Sequence, residues 1–274
     1  MFVKRTLVVI LLLPIGLAAI YYGGWVFFAL AAIILLLASY EYINLFRTGG
    51  YKPALAVALG GTLLLILGRA INGFQSSPWI ISLLILVSMA YHLVDFERGR
   101  DQAGTDFSIT LAGTLYIGWL GAYLISLREI PDGMWWVLLV LSSVWLADAG
   151  AYIIGKNFGR HKITPRLSPK KTWEGYLGGV LVGTLGAAAL AALFEYWVGP
   201  GTAITAWRGA VLGLSISAIS IMGDLGESMI KRQVGMKDSG SILPGHGGAF
   251  DRIDSWLWAG VIGYYIITLL FTTV

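Results

Sequence analysis

Five carboxylates, four Lys or Arg, a histidine and several glycines crowd into residues 224–254, DLGESMIKRQVGMKDSGSILPGHGGAFDRID. Asp224 closes one apolar run. Asp251 and Asp254 open the next and, three residues apart, share one helical face. Hard divalent cations such as magnesium choose oxygen ligands, often one or two carboxylates together with substrate phosphates. Lys231, Arg232, Lys237 and Arg252 offer positive charge for those phosphates. The run Pro244, Gly245, His246, Gly247, Gly248 can bring backbone N–H groups against an anion, because glycine tolerates the backbone angles required. Each feature also has a plainer reading. A lone His246 is more often a structural hydrogen-bonding group, Glu227 and Lys231 at i, i+4 suit a simple ion pair, and Asp238 suits loop structure. Their joint occurrence at the edge of an apolar run favours phosphate and metal binding.

A second polar stretch, KNFGRHKITPRLSPKKTW, spans residues 156–173. Ser168-Pro169-Lys170-Lys171 reads as a helix start, with serine as N-cap and proline as first helical residue. Helix N-termini attract anions. Two lysines in a first turn oppose the dipole, so they predict a phosphate bound there; the plainer reading is a topological anchor for the next apolar run. Asp148 lies inside another apolar run, WLADAGAYIIG. An aspartate at a bilayer centre costs about 2.5–3.5 kcal/mol on insertion scales, so it is functional by default. It is expected to face the protein interior or a water-filled cavity. Gly179 and Gly183, by contrast, have the spacing of helix packing.

Apolar runs must position all these groups. Of the 274 residues, 57% are hydrophobic and 12% charged. Soluble domains carry about a quarter charged residues, and so poorly charged a chain could not cover a water-facing surface. Nine runs approach the roughly 20 residues that a transmembrane helix needs: 6–22, 25–46, 53–71, 78–94, 107–127, 134–155, 175–197, 207–223 and 255–273. With nine spans, sixteen Lys and Arg fall on one side and only Arg69, Arg128 and Arg208 on the other. The positive-inside rule then places the N-terminus in the cytoplasm and the C-terminus outside. The expected fold is all-α and polytopic: one transmembrane domain over 1–274, with N-terminal spans in 1–133 and catalytic spans and loops in 134–274. The net charge of +4 sits in short loops rather than one patch, so nucleic acid is not an expected partner. Cysteine is absent, which excludes disulfides and Cys-based metal sites.

The stretch SMIKRxxxxKDxGxxLPxHGGxxDRID, from Ser228 to Asp254, closely resembles the signature of the phosphatidate cytidylyltransferases, also called CDP-diacylglycerol synthases. Gly223-Asp224 with Glu227-Ser228, Asp148 with Ala151-Tyr152, and Ser168 through Thr172 with Glu174-Gly175 are similar to that family as well. The motifs cover the half of the chain from Asp148 onward; the N-terminal half resembles the family only in being hydrophobic. Ala249 departs from the pattern, where a bulkier apolar residue is expected.

The resemblance implies transfer of a cytidylyl group from CTP to phosphatidic acid at the cytoplasmic side of the inner membrane, with magnesium and room for a second cation. It makes Asp224 and Asp251 the first choices for metal ligands, and Asp254 and Asp148 the second. It implies Lys237 and Arg252 at the reacting phosphates, and Ser168, Lys170, Lys171, Lys231, Arg232, His246, Gly247 and Gly248 in substrate binding. A homodimer is compatible with it. Three other functions fit parts of the pattern: a CDP-archaeol synthase, a CTP-dependent polyprenol kinase, and a transporter. The last is disfavoured because no internal repeat is visible and the charges crowd one face.

Overall fold

The structure, a computed structural model, describes residues 2–199, 201–240 and 247–271, with side chains described for Ile10 and from Leu12 onward. His246 therefore lies outside the described residues.

Large apolar side chains on the outside show what solvent this chain is built for. On helix α8, Trp173–Val198, Leu177, Leu181 and Leu185 repeat at helical spacing and are 62%, 58% and 62% exposed. The opposite face of α8 buries Gly179, Gly183, Ala187 and Ala191. Small residues inside and leucines outside suit lipid, where helices associate by close packing. The partners of α8 are α7, Gly133–Phe158, and α9, Ala206–Ile219. A Cβ at Gly179 would stand 2.6 Å from the carbonyl oxygen of Ala147 and 2.9 Å from Ala151 Cβ, so Gly179 serves helix packing as its spacing predicted.

Eight helical segments among the described residues are long and apolar enough to cross a membrane: Gly24–Thr48, Leu55–Asn72, Ser77–Glu97, Ala103–Glu129, Gly133–Phe158, Trp173–Val198, Ala206–Gln233 and Phe250–Phe271. Helix α1, Phe2–Tyr22, covers the first of the nine expected spans, and its stretch Leu12–Tyr22 is apolar. The fold is helical, with one two-stranded antiparallel hairpin among the described residues, β1 (Lys162–Thr164) with β2 (Ser168–Thr172).

The chain divides into two compact units. The first comprises residues 1–126 and 230–253. Its core side chains include Leu35, Ile43, Ile66 and Ile117. They come from α2 (Gly24–Thr48), α3 (Leu55–Asn72) and the π-helical turn Thr114–Trp119 that follows α5 (Ala103–Gly113). A buried Asp106 in the first turn of α5 accepts from Lys52 N at 2.8 Å and pairs with Arg100 at 2.7 Å. That hydrogen bond raises the Arg100 guanidinium pKa above its ordinary value. The second unit comprises residues 127–229 and 254–274, with α7, the hairpin, α8 and α9.

Two boundaries differ from expectation. Residues 224–254 are not all loop. Helix α10, Ile221–Gln233, carries Asp224 and the helically spaced Glu227 and Lys231 beyond the apolar run. It ends in a glycine cap. Gly235 has φ +74°, Gly235 N donates to Arg232 O at 3.2 Å, and Met236 N donates to Lys231 O at 2.9 Å. These are the paired bonds of a Schellman motif. Helix α11, Phe250–Ile266, begins five residues before the expected span.

The second difference is a correction. Ser168-Pro169-Lys170-Lys171 is not a helix start but strand β2. The helix begins at Trp173, where Thr172 acts as N-cap and its Oγ1 accepts from Gly175 N at 3.2 Å. Register explains the choice: Thr172 pairs with Lys162 and Ser168 with Thr164, and Trp173 N reaches His161 O at 2.9 Å. The lysines precede the helix rather than opposing its dipole, so the dipole argument for an anion there no longer holds.

Candidate active site

In the second unit the hairpin is fastened to α8 by one carboxylate. Glu174, in the first helical turn, accepts from Arg160 N at 3.0 Å and His161 N at 3.2 Å, and its Oε1 meets His161 Nδ1 at 2.5 Å. Free N–H groups and an acidic side chain at a helix start stabilise each other. This clamp fixes β2, which places Lys171. Lys171 Nζ forms an ion pair with Asp224 Oδ2 at 2.5 Å, joining two of the sequence motifs. Ser168 is half-buried in the strand, and Lys170 is exposed. Lys171→Gln is therefore expected to impair catalysis more than Lys170→Gln. Steady-state constants for both substrates, measured on the two single variants, check the order.

Asp224 and Asp254 approach through glycine. A Cβ at Gly223 would collide with the carbonyl oxygen of Asp254 and stand 2.9 Å from Trp258 Cδ1. Asp254 accepts from Ser255 N at 2.6 Å and lies within electrostatic reach of Asp224, Asp148 and Lys171. Asp148 is exposed on α7 rather than packed into the helix interior, which excludes the first of its two expected surroundings. Three carboxylates thus share their surroundings with the ammonium of Lys171.

In the first unit Asp251 is heavily engaged. Its Oδ1 pairs with Lys231 Nζ at 2.6 Å. Its Oδ2 accepts from Ser239 N at 3.0 Å, Ser239 Oγ at 2.9 Å and Gly248 N at 2.8 Å. Gly247, at φ +83°, takes a left-handed conformation that bulkier residues rarely adopt, and a Cβ there would stand 2.7 Å from Asp251 Oδ2. Gly247 and Gly248 therefore serve this carboxylate. Arg232 Nη1 donates to Met236 O at 3.1 Å beside the glycine cap. Lys237, Asp238 and Arg252 are exposed. Ala249, the departure from the family pattern, is buried.

Asp224 and Asp251 belong to different units, and each has partners within its own. Among the described residues no three His, Cys, Asp or Glu gather tightly enough to enclose a metal ion by themselves. Magnesium does not require that, since one or two carboxylates plus substrate phosphates commonly suffice. An oxygen-only donor set with three aspartates beside one lysine fits a hard cation.

One residue escaped the sequence reading. Glu41, on α2, is 3% exposed and accepts from Phe250 N at 2.9 Å and Ser239 Oγ at 3.3 Å. The signal was present, because Glu41 sits inside the apolar run 25–46 as Asp148 sits inside its own.

Residues 3–270 match the family model described as "Cytidylyltransferase family". The chain is 33% identical over 298 residues to a protein of Synechocystis sp. named phosphatidate cytidylyltransferase, with 97% of each chain covered. Proteins of the same name are similar in Mycobacterium bovis and Staphylococcus aureus. The first is 31% identical over 94% of this chain and 86% of its own, and the second 32% identical over 93% and 94%.

Proposed function

We propose, from the premise that this chain belongs to the cytidylyltransferase family, that it transfers the cytidylyl group of CTP to phosphatidic acid, leaving CDP-diacylglycerol and pyrophosphate. The observation that carries this reading is near full-length similarity to relatives named for that activity, from one end of the chain almost to the other. It is an integral membrane enzyme of phospholipid biosynthesis, with one substrate in the bilayer and the other in water.

The chemistry asks little of a protein base. A phosphate monoester is largely dianionic near pH 7, so an oxygen of phosphatidic acid attacks the α-phosphorus of CTP directly. One P–O bond forms there, and the bond to the β-phosphate oxygen breaks. Catalysis is then positioning and charge neutralisation. Lys171, Lys231, Lys237, Arg232 and Arg252 supply positive charge, with Lys170, Ser168, His246, Gly247 and Gly248 assisting substrate binding. Asp224 and Asp251 are the proposed holders of magnesium, with Asp254 and Asp148 as further oxygen donors and room for a second cation. A bound magnesium would neutralise phosphate charge as it develops. Lys171 and Lys231, paired with Asp224 and Asp251, orient those carboxylates.

In CTP labelled at the α-phosphate, the label is expected in lipid, with unlabelled pyrophosphate released. Label in lipid only from γ-labelled CTP would make the protein a kinase instead.

We further place residues 156–173 and 224–254 on the cytoplasmic side of the inner membrane, with nine spans. The sixteen-to-three bias of Lys and Arg supports this orientation. A cysteine in place of the exposed Asp238, in a chain with none of its own, should react with a membrane-impermeant reagent in inverted vesicles and not in intact cells. The reverse pattern would invert the topology.

A further inference from the structure

Glu41 is a carboxylate inside the apolar run 25–46, toward the C-terminal end of α2. A buried carboxylate with no task is expensive, and such groups are retained where they bind or hold something. Among the described residues, the hydrogen bonds that Glu41 accepts come from Ser239 and Phe250 of the signature stretch. Its Oε2 accepts from Phe250 N, the first amide of α11, and from Ser239 Oγ. Ser239 Oγ also stands 2.9 Å from Asp251 Oδ2, so one hydroxyl links the two carboxylates. The loop is shaped around this side chain. A Cβ at Gly240 would stand 2.6 Å from Glu41 Oε1, and one at Gly248 would collide with Oε2 and with Ser239 Oγ. Two of the signature's glycines therefore make room for a residue about 200 positions earlier in the chain.

We propose that Glu41 is a positioning residue: it holds Ser239 and the start of α11 and thereby sets the orientation of Asp251 for the reaction. The kinetic part of this inference rests on the cytidylyltransferase reading. The N-terminal half then contributes to catalysis, rather than serving only as a membrane anchor. A carboxylate suits the task because it can accept several hydrogen bonds at once, and charge-assisted bonds are roughly twice as strong as neutral ones.

The test uses the full chain in detergent with three variants, E41A, E41Q and S239A, and the double variant E41A/S239A. Peptide-resolved hydrogen exchange comes first because it needs no activity. In E41A residues 247–251 should lose protection, while α7 to α9 keep theirs. Kinetics come second. Misplacement of a catalytic group by about 1 Å can cost roughly 100-fold, so E41A should lower kcat by roughly 10- to 100-fold. It should also raise the magnesium concentration needed for half-maximal activity, and leave KM for phosphatidic acid within about twofold of the parent. E41Q, which keeps an acceptor oxygen and the side-chain volume, should recover part of the turnover and covers the case in which E41A does not fold. E41A/S239A should lose less than the product of the two single losses, as residues acting through one contact do.

Unchanged exchange in 247–251 would overturn the clamp. Full kcat and an unchanged magnesium midpoint in both E41A and E41Q would overturn the positioning role, even if melting temperature fell. An inactive parent enzyme would instead sink the cytidylyltransferase reading, and the exchange result would still decide whether Glu41 holds the loop.

Discussion

Asparagine at Asp224 is expected to lower turnover roughly 100- to 1,000-fold while the protein still inserts and melts near its usual temperature. The estimate follows from the several kcal/mol that a bound metal contributes at about 1.4 kcal/mol per decade of rate. Asp224 is 39% exposed, so losing its pair with Lys171 should cost little stability. Asparagine at Asp251 should be as damaging to turnover and more damaging to the fold. The Lys231–Asp251 pair is 11% and 8% exposed, and three donors converge on the second oxygen of Asp251. An amide cannot face ammonium on one side and N–H and O–H donors on the other without turning its own NH2 toward a donor. The D251N melting temperature should fall where that of D224N does not. D238N, at an exposed position, should resemble the parent. Turnover and a magnesium titration on all three, with detergent melting curves, check the set. Near-normal turnover with an unchanged magnesium requirement in both D224N and D251N would remove these residues from the site.

Spans were legible because length and apolarity alone report them, and every helical segment long enough to cross falls on an expected run. Local ends were harder. Ser168-Pro169 has the composition of a helix start, yet Thr172 three residues before Gly175 is an equally good cap, and hairpin register with residues 162–164 decides between them. No single-segment pattern contains that register. Helix α10 was half legible: Glu227 and Lys231 stand at helical spacing, but their polarity made residues beyond Asp224 read as loop. The signature residues were legible as a motif, though their contacts were not. The sequence suggests that Gly247 and Gly248 cradle a substrate anion; in the fold their geometry makes room for Asp251 and Glu41. Glu41 stood out as a carboxylate inside an apolar run, but its partners were concealed, since a contact across about 200 residues leaves no trace in local spacing.

Gly223→Ala should be nearly as harmful to turnover as losing Asp224 itself, though it removes no chemical group. The added methyl would meet the backbone carbonyl of Asp254 on one side and the Trp258 ring on the other. Backbone cannot swing aside as a flexible side chain can, so α10 and α11 must separate locally. Overpacking of this kind typically costs about 1–3 kcal/mol. The larger effect falls on geometry, because Asp224 is the next residue and Asp254 supplies the colliding carbonyl. A shift of a few tenths of an ångström to 1 Å moves the two carboxylates relative to each other, and misplacement on that scale costs up to roughly 100-fold in rate. Gly60→Ala is the matched control. Gly60 lies in α3, and its added Cβ would meet nothing within 4 Å. The same substitution there should leave turnover within about twofold and stability unchanged or slightly raised, since alanine favours helix over glycine. Turnover at saturating CTP and phosphatidic acid, with melting curves in the same detergent, separates the two outcomes. If G223A turned over like G60A, the approach of α10 to α11 at Gly223 would not govern the site.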